Sequence, residues 1–100
     1  MKTKKEVILL KAIADNVRFS IIDLLIQQKS KIKEGQKDGI YVSQLKKKLN
    51  IEPTLLSHHL STLLKAGLVK STREGKTVCY SLNSKIKGKE IKLGKLTLLW

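Results

Sequence analysis

The sequence predicts a single, mainly α-helical domain that carries a small β-hairpin. Apolar residues recur at helical spacing in several stretches, whereas residues 69–82 alternate between apolar and polar around Glu74-Gly75-Lys76, as hairpins do. A chain of 100 residues suits one domain, residues 1–100, whose own core is small for its surface. A partner subunit would therefore help to stabilise it.

Charge and cysteine content narrow the classes of function. Lys and Arg number 21 against 8 Asp and Glu, so the formal charge is +13 and the pI is about 10.0. Coulomb attraction then favours a polyanionic partner, with nucleic acid first and an anionic membrane second. The single cysteine, Cys79, excludes an intrachain disulfide and suits a reducing compartment, although a reactive or intersubunit thiol remains open.

Two helices are predicted at the start of the chain. Residues 4–14 carry apolar residues on more than one face, as a dimerisation helix needs, and we expect Val7 and Leu10 to contact a second subunit. Lys11 and Asp15 interrupt a run too short to cross a bilayer, so we expect a cytoplasmic protein with no membrane partner. Asp15 and Asn16 are good N-cap residues for a second helix that extends to about residue 28.

A solvated loop, a short strand and a third helix are predicted next. Residues 29–39 have mixed charge, two glycines and no apolar period, which is typical of a loop. Residues 40–42 suit a short edge strand. Ser43 can then cap a helix that contains Leu45 and Leu49 and ends at Asn50.

The fourth predicted helix has two distinct faces. Pro53 fits its first turn, and Gly67 suits its left-handed end. An apolar stripe is expected to face the core: Leu56, Leu60, Leu63 and Leu64. Short polar or cationic side chains, able to approach phosphates and base edges, share the opposite face. They are Thr54, Ser57, His58, Ser61 and Lys65.

The adjacent histidines are predicted to diverge. His58 lies on the polar face, whereas His59 lies about 100° further round, at the edge of the core. Because the two rings diverge, they do not readily bind one metal ion together, and no Cys-x2-Cys or His-x3-His pattern supplies further ligands. We predict no metal site and no cofactor, and we interpret His59 as a packed histidine.

The order of these elements predicts a winged helix-turn-helix domain. A helix-turn-helix over about residues 43–66 precedes the hairpin of residues 69–82, whose tip carries Arg73 and Lys76. In residues 84–100, Gly88 and Gly94 weaken a helix, and the alternation of Leu96, Leu98 and Trp100 favours extended backbone. These apolar residues need cover from a second subunit or from the first helix.

The chain resembles the ArsR family of winged helix-turn-helix repressors. The resemblance rests on KAIADNVRFSIIDLL (11–25), VSQLKKKLNIEPTLLSHHLSTLLKAGLV (42–69) and STREGKTVCYSL (71–82). It implies that the first and last helices pair two subunits and that the SHHL helix enters the major groove. It also implies that Thr54, Ser57 and His58 reach bases or phosphates, with Arg73, Lys76 and Thr77 on the wing.

The sequence departs from the family pattern at three places, two of them metal-sensing sites and one the start of the helix that contacts bases. The stretch that matches the family's paired-cysteine metal site is YVSQLKKKLN, which has no thiol. The second family metal site needs Asp and His on the last helix, and residues 84–100 contain neither. Pro53 and Leu55 also replace polar residue types that are common at the start of the recognition helix.

We therefore predict a homodimeric, sequence-specific regulator that binds double-stranded DNA, acts as a repressor and performs no catalysis. No paired carboxylates, no nucleophile with a matched base and no phosphate-binding glycine loop are present. Its effector is not indicated by the sequence. The alternatives are a basic RNA-binding or ribosome-associated winged helix protein and a protein-interaction winged helix with an apolar C-terminus.

Overall fold

A computed structural model describes residues 4–13, 15–83, 90–93 and 96–99, and it gives a mainly α-helical fold with a small sheet. The helices are α1 (Lys4–Ile13), α2 (Asn16–Lys31), α3 (Val42–Leu49) and α4 (Pro53–Lys65). The strands are β1 (Ile40–Tyr41), β2 (Val69–Glu74), β3 (Thr77–Leu82), β4 (Glu90–Leu93) and β5 (Leu96–Leu99). The predicted fold class is confirmed.

The hairpin and one edge strand form the main sheet. Its order is β1-β3-β2, with both pairings antiparallel. Glu74 faces Thr77 across the hairpin, so Gly75 and Lys76 form a two-residue turn in which Gly75 adopts a φ of +61°. Separately, β4 and β5 pair antiparallel with Leu93 opposite Leu96, in agreement with the extended backbone expected there. Trp100 lies outside the described residues.

Gly39 allows the loop after α2 to approach the sheet closely. Its φ is +124°, and a Cβ at this position would lie 2.6 Å from Cys79 Sγ and 2.9 Å from the carbonyl oxygen of Tyr80. Only glycine fits this conformation and this space. The buried Cys79 thiol therefore packs directly against the loop backbone.

The predicted helix ends are largely confirmed. The Asp15 carboxylate accepts hydrogen bonds from the backbone N–H groups of Val17 at 2.8 Å and Arg18 at 3.2 Å, which caps α2. Asn50 closes α3 in the left-handed conformation with a φ of +49°, and Gly67 follows α4 with a φ of +79°.

Two predicted boundaries were wrong. The loop begins after Lys31 rather than at Lys29, because lysine is a good helix former and its charge is favourable in the last turn of a helix. Ser43 does not cap α3, which already begins at Val42. The Tyr41 N–H instead donates to Gln44 Oε1 at 3.0 Å, so the helix starts directly from the end of β1.

The core lies between α2, α3, α4 and the sheet. Its side chains are at most 5% exposed, and they come from every helix and from β1 to β3. They include Ala12, Ile21, Ile22, Leu25, Ile40, Leu45, Leu56, Leu60, Leu63, Leu68, Val69 and Leu82. Leu64 was predicted to belong here but is 36% exposed, because α4 turns its opposite flank, with His59, toward α1 and α2. No helix in the described ranges is long and apolar enough to cross a membrane.

Candidate nucleic-acid interface

The polar face predicted for α4 is present and accessible. Thr54, Ser57, His58 and Lys65 are exposed, and Ser61 is half-buried. The inner face of the same helix is held by Leu56, Leu60 and Leu63 in the core, so its orientation relative to the domain is fixed. The helix therefore presents one continuous row of hydroxyl, imidazole and ammonium groups to solvent.

Glu52 closes the first turn of this helix. Its carboxylate accepts a hydrogen bond from the Leu55 N–H at 3.2 Å. The backbone N–H groups of Thr54 and Leu55 hold the pKa of the Glu52 carboxyl below its usual value of 4.5. The start of α4 is thus stabilised by an ionised cap at neutral pH.

A partly buried polar network holds α4 against α1 and α2. Arg18 of α2 donates from Nε to the Ala12 carbonyl oxygen at 2.6 Å, and its Nη1 lies 3.1 Å from Nδ1 of His59. Because a guanidinium can only donate, His59 accepts at Nδ1 and carries its proton on Nε2. Asp15 Oδ1 lies 3.8 Å from the same ring nitrogen. His59, which is 7% exposed, therefore belongs to the helix-packing network.

The two histidines are arranged for different roles. Their ring centroids are 5.6 Å apart and the rings are tilted by 59°. His58 is exposed beside Ser57 and Ser61, whereas His59 is engaged by Arg18. Among the residues that the structure describes, no three His, Cys, Asp or Glu side chains are grouped so that they could hold a metal ion.

The wing carries the other predicted contact residues, Arg73, Lys76 and Thr77, all of which are exposed. The Thr77 hydroxyl donates to the Glu74 carbonyl oxygen at 2.8 Å, which fastens the turn. Lys76 occupies the turn itself, and Arg73 lies opposite Val78 in the register of the hairpin. Two cations are therefore displayed at or near the tip.

A side-chain cluster that the sequence did not predict anchors this wing to the rest of the domain. Glu74 forms an ion pair with Lys37 from the loop after α2 and accepts a hydrogen bond from the Tyr41 hydroxyl at 2.7 Å. The Lys37 ammonium also lies 5.0 Å above the Tyr41 ring centroid. Because Lys37 lies in the loop after α2 and Glu74, 37 positions later, ends β2, no sequence periodicity indicates their pairing.

One groove lies between α4 and the wing. It has a volume of about 480 Å³ and lies between the start of α3, the outer flank of α4 and strand β3. Its walls carry both hydroxyl and apolar groups, with one ammonium. The lining residues are Tyr41, Val42, Ser43, Ser57, Leu60, Ser61, Leu64, Lys76, Thr77, Val78 and Tyr80. Four predicted contact residues, Ser57, Ser61, Lys76 and Thr77, are thereby brought to one surface.

The residues predicted for dimerisation are only partly within the described structure. Val7 is 37% exposed on α1, next to Ile8, which is 47% exposed. The side chain of Leu10 and those of Leu96 and Leu98 lie outside the described part of the chain, as does Trp100. Neither Arg18 nor Leu55 was assigned to a site from the sequence. In the structure Arg18 contacts His59, and Leu55 is an exposed apolar residue.

The chain is similar to known regulatory proteins. The model of the bacterial regulatory protein arsR family matches residues 37–71, which span the end of the loop, α3, α4 and the start of the wing. The transcriptional activator HlyU of Vibrio cholerae is 34% identical over 80 residues. This match covers 80% of the chain, which in turn spans 65% of the length of that relative.

Solved structures show the same fold. HlyU from Vibrio cholerae N16961 matches with a TM-score of 0.67 at 34% identity, over 80% of this chain and 76% of that one. The cadmium sensor CMTR from Mycobacterium tuberculosis matches with a TM-score of 0.58 at 33% identity, over 79% of this chain and 71% of that one. The homodimeric winged helix-turn-helix DNA-binding domain of Mb0332 from Mycobacterium bovis matches with a TM-score of 0.61 at 25% identity. This match covers 84% of this chain and 75% of that one.

Proposed function

Because this chain belongs to the arsR family of bacterial regulatory proteins, a class of DNA-binding regulators rather than enzymes, we propose that it is a sequence-specific regulator of transcription that binds duplex DNA as a homodimer. In this proposal α4 enters the major groove, and the β2–β3 wing lies along the phosphate backbone. The protein acts in the cytoplasm, where bacterial DNA is accessible.

The observation that carries this proposal is the shared groove between α4 and the wing. Ser57 and Ser61 from the helix and Lys76 and Thr77 from the hairpin line a single surface, although they are distant in sequence. His58 and Lys65 extend this surface along the exposed side of the helix. Such an arrangement lets base edges and phosphates be contacted simultaneously. The formal charge of +13 adds attraction to the duplex.

Two-fold symmetry is the second part of the proposal. The exposed Val7 and Ile8 on α1 offer an apolar surface to a second copy, and the related Mb0332 domain is homodimeric. A symmetric dimer places two recognition helices in successive major grooves about 34 Å apart. The operator should therefore be a near-palindrome with half-sites about one helical turn apart.

The proposed direction of regulation is repression by occupancy of a promoter. HlyU of Vibrio cholerae carries the name of an activator, so direction needs its own test. A reporter driven by the bound promoter should give less product when the protein is expressed. More product would assign activation while leaving the DNA-binding proposal in place.

Fluorescence anisotropy tests DNA recognition itself. The protein is titrated against the DNA upstream of its own gene and against a shuffled duplex of equal length, at two salt concentrations. We expect the native duplex to bind at least about a hundredfold more tightly, with the difference retained at higher salt, because charge alone attracts both duplexes equally. Equal affinities that both vanish with salt would contradict the proposal, and selective binding to structured RNA would support the alternative class.

A further inference from the structure

Leu55 is an exposed apolar residue at the start of α4, beside the polar face of the proposed DNA interface. Its side chain is 45% exposed, on the first turn of α4. A single exposed leucine is common on protein surfaces, so exposure alone indicates no function. The position is informative, because Leu55 directly follows Thr54 and lies three residues, just under one helical turn, before His58. Both of these neighbours are exposed polar residues of the proposed recognition surface.

The backbone at Leu55 is held in place by the helix cap. Glu52 Oε2 accepts a hydrogen bond from the Leu55 N–H at 3.2 Å, and Leu56, the next residue, is 1% exposed in the core. Leu55 therefore starts from a fixed Cα position on a rigid turn. A fixed apolar group at an interface discriminates between partners better than a mobile one, because less conformational entropy is lost on contact.

The chemistry of the major groove identifies the contact that suits this side chain. Helix-turn-helix proteins present the N-terminal residues of the recognition helix to the base edges, which is where Leu55 lies. The groove edges carry hydrogen-bond donors and acceptors on every base pair, but their one apolar group is the C5-methyl of thymine. An isobutyl side chain gains by removing that methyl group from water and loses by covering an unpaired donor or acceptor.

We propose that Leu55 is a specificity-determining residue that selects thymine at one position of each operator half-site by packing against its C5-methyl group. This inference rests on the proposed function, since it assigns a base preference to the same recognition helix. By the two-fold symmetry of the dimer, the preferred thymines occupy equivalent positions in the two half-sites.

Replacement of thymine by deoxyuridine tests the contact with the least disturbance. The exchange removes only the methyl group and keeps base pairing and the O4 acceptor. The probe is the duplex that the full-length wild-type protein selects from a random-sequence pool, with thymines replaced one position at a time. We expect a loss of about fourfold in affinity at one position per half-site, since one buried methyl group contributes about 0.8 kcal/mol.

Leu55→Ala provides the second arm of a double-mutant cycle. The variant should bind the native duplex more weakly and should show no further loss on deoxyuridine exchange at the sensitive position. Gln27→Ala is the control, because Gln27 is an exposed helical residue on α2, outside the proposed DNA interface. This control should keep the full deoxyuridine penalty. Circular dichroism checks that both variants remain helical.

The outcomes separate this inference from the proposed function. If the wild-type protein selects no consensus duplex, both proposals are overturned. If a consensus emerges but no deoxyuridine exchange weakens binding, the assignment of Leu55 is overturned alone. The same holds if the penalty persists unchanged in Leu55→Ala, because another residue then contacts the methyl group.

Discussion

At the scale of single residues, two adjacent histidines differ because of the helix face on which each lies. His58 is exposed on the outer side of α4, whereas His59 is buried and accepts a hydrogen bond from Arg18. The sequence predicted this divergence, because helical geometry rotates successive side chains by about 100°. It did not predict Arg18 as the partner, since that contact depends on how α2 crosses α4.

Substitution of His58 and Lys76 separates base recognition from charge attraction. His58→Ala should reduce the preference for the operator over random DNA by about 1–3 kcal/mol, because a base contact favours one sequence. Lys76→Ala should weaken binding to all duplexes alike and flatten the dependence of log affinity on log salt by about one unit, because a phosphate contact carries no sequence information. Anisotropy titrations on specific and shuffled duplexes over a salt series measure both effects.

Lys70→Ala is the matched control for Lys76→Ala. Lys70 is exposed on the same hairpin, but at its base rather than at the turn. Its removal subtracts the same charge and should change the salt dependence less. Equal losses on specific and random DNA for His58→Ala and Lys76→Ala would contradict the proposed division of roles.

At the scale of elements, the identity of helices and the hairpin could be predicted, but several boundaries and flanks could not. Asp15, Asn50 and Gly67 have conformational preferences strong enough to mark helix ends from the sequence. The extension of α2 to Lys31 has no comparable local signal, because lysine is compatible with both helix and loop.

The candidate site was likewise predictable in part. The outward row on α4 follows from helical periodicity, whereas Leu64 was placed in the core although it is exposed. Leu63 and Leu64 are equally apolar neighbours, so only tertiary packing decides which of them is buried. The Lys37, Tyr41 and Glu74 cluster that anchors the wing joins distant parts of the chain and carries no periodic pattern.

The cap of α2 gives a stability prediction with a defined pH dependence. Burial raises the pKa of the Asp15 carboxyl, but hydrogen bonds from the backbone N–H groups of Arg18 and Val17 together lower it below 3.8. Asp15→Ala should reduce the free energy of unfolding by about 1 kcal/mol at neutral pH, through loss of the cap. Denaturant titration followed by circular dichroism measures this difference.

Asp15→Asn is the control that keeps a capping side chain but does not titrate. A lowered folded-state pKa stabilises the protein above the unfolded-state pKa, and this contribution is lost as the pH falls through the folded-state value. The wild-type protein should therefore lose stability relative to Asp15→Asn below about pH 4. A difference between the two proteins that stays constant on acidification would contradict the assigned role of the Asp15 carboxylate.

At the scale of the whole molecule, the distribution of surface chemistry fits a symmetric DNA-binding dimer. The polar face of α4 and the wing tip share one groove, whereas the exposed Val7 and Ile8 lie on a different element, α1. In the proposed dimer, DNA contact and subunit contact therefore use different elements. The high positive charge makes self-association unfavourable unless an apolar interface offsets the repulsion. In the proposed dimer the apolar surface of α1 supplies that interface.

The double variant Val7→Ser with Ile8→Ser tests this architecture. Each fully buried Val or Ile stabilises an interface by about 1.5–3 kcal/mol, and two-fold symmetry repeats the loss, so the dimer dissociation constant should rise by at least about tenfold. Sedimentation equilibrium measures it. Gln27→Ser, an exposed helical position on α2, controls for the lower helix propensity of serine and should leave the dimer unchanged.

DNA binding by the same variant shows whether the dimer matters for recognition. Affinity for a palindromic operator should fall, because two linked half-site contacts become independent. Affinity for a duplex with a single half-site should stay within about twofold of the wild-type value, since α4 and the wing remain intact in each monomer. A wild-type protein that sediments as a monomer while still discriminating its operator would contradict the dimer proposal. Loss of half-site binding in a folded variant would instead show that α1 acts on the recognition helix directly.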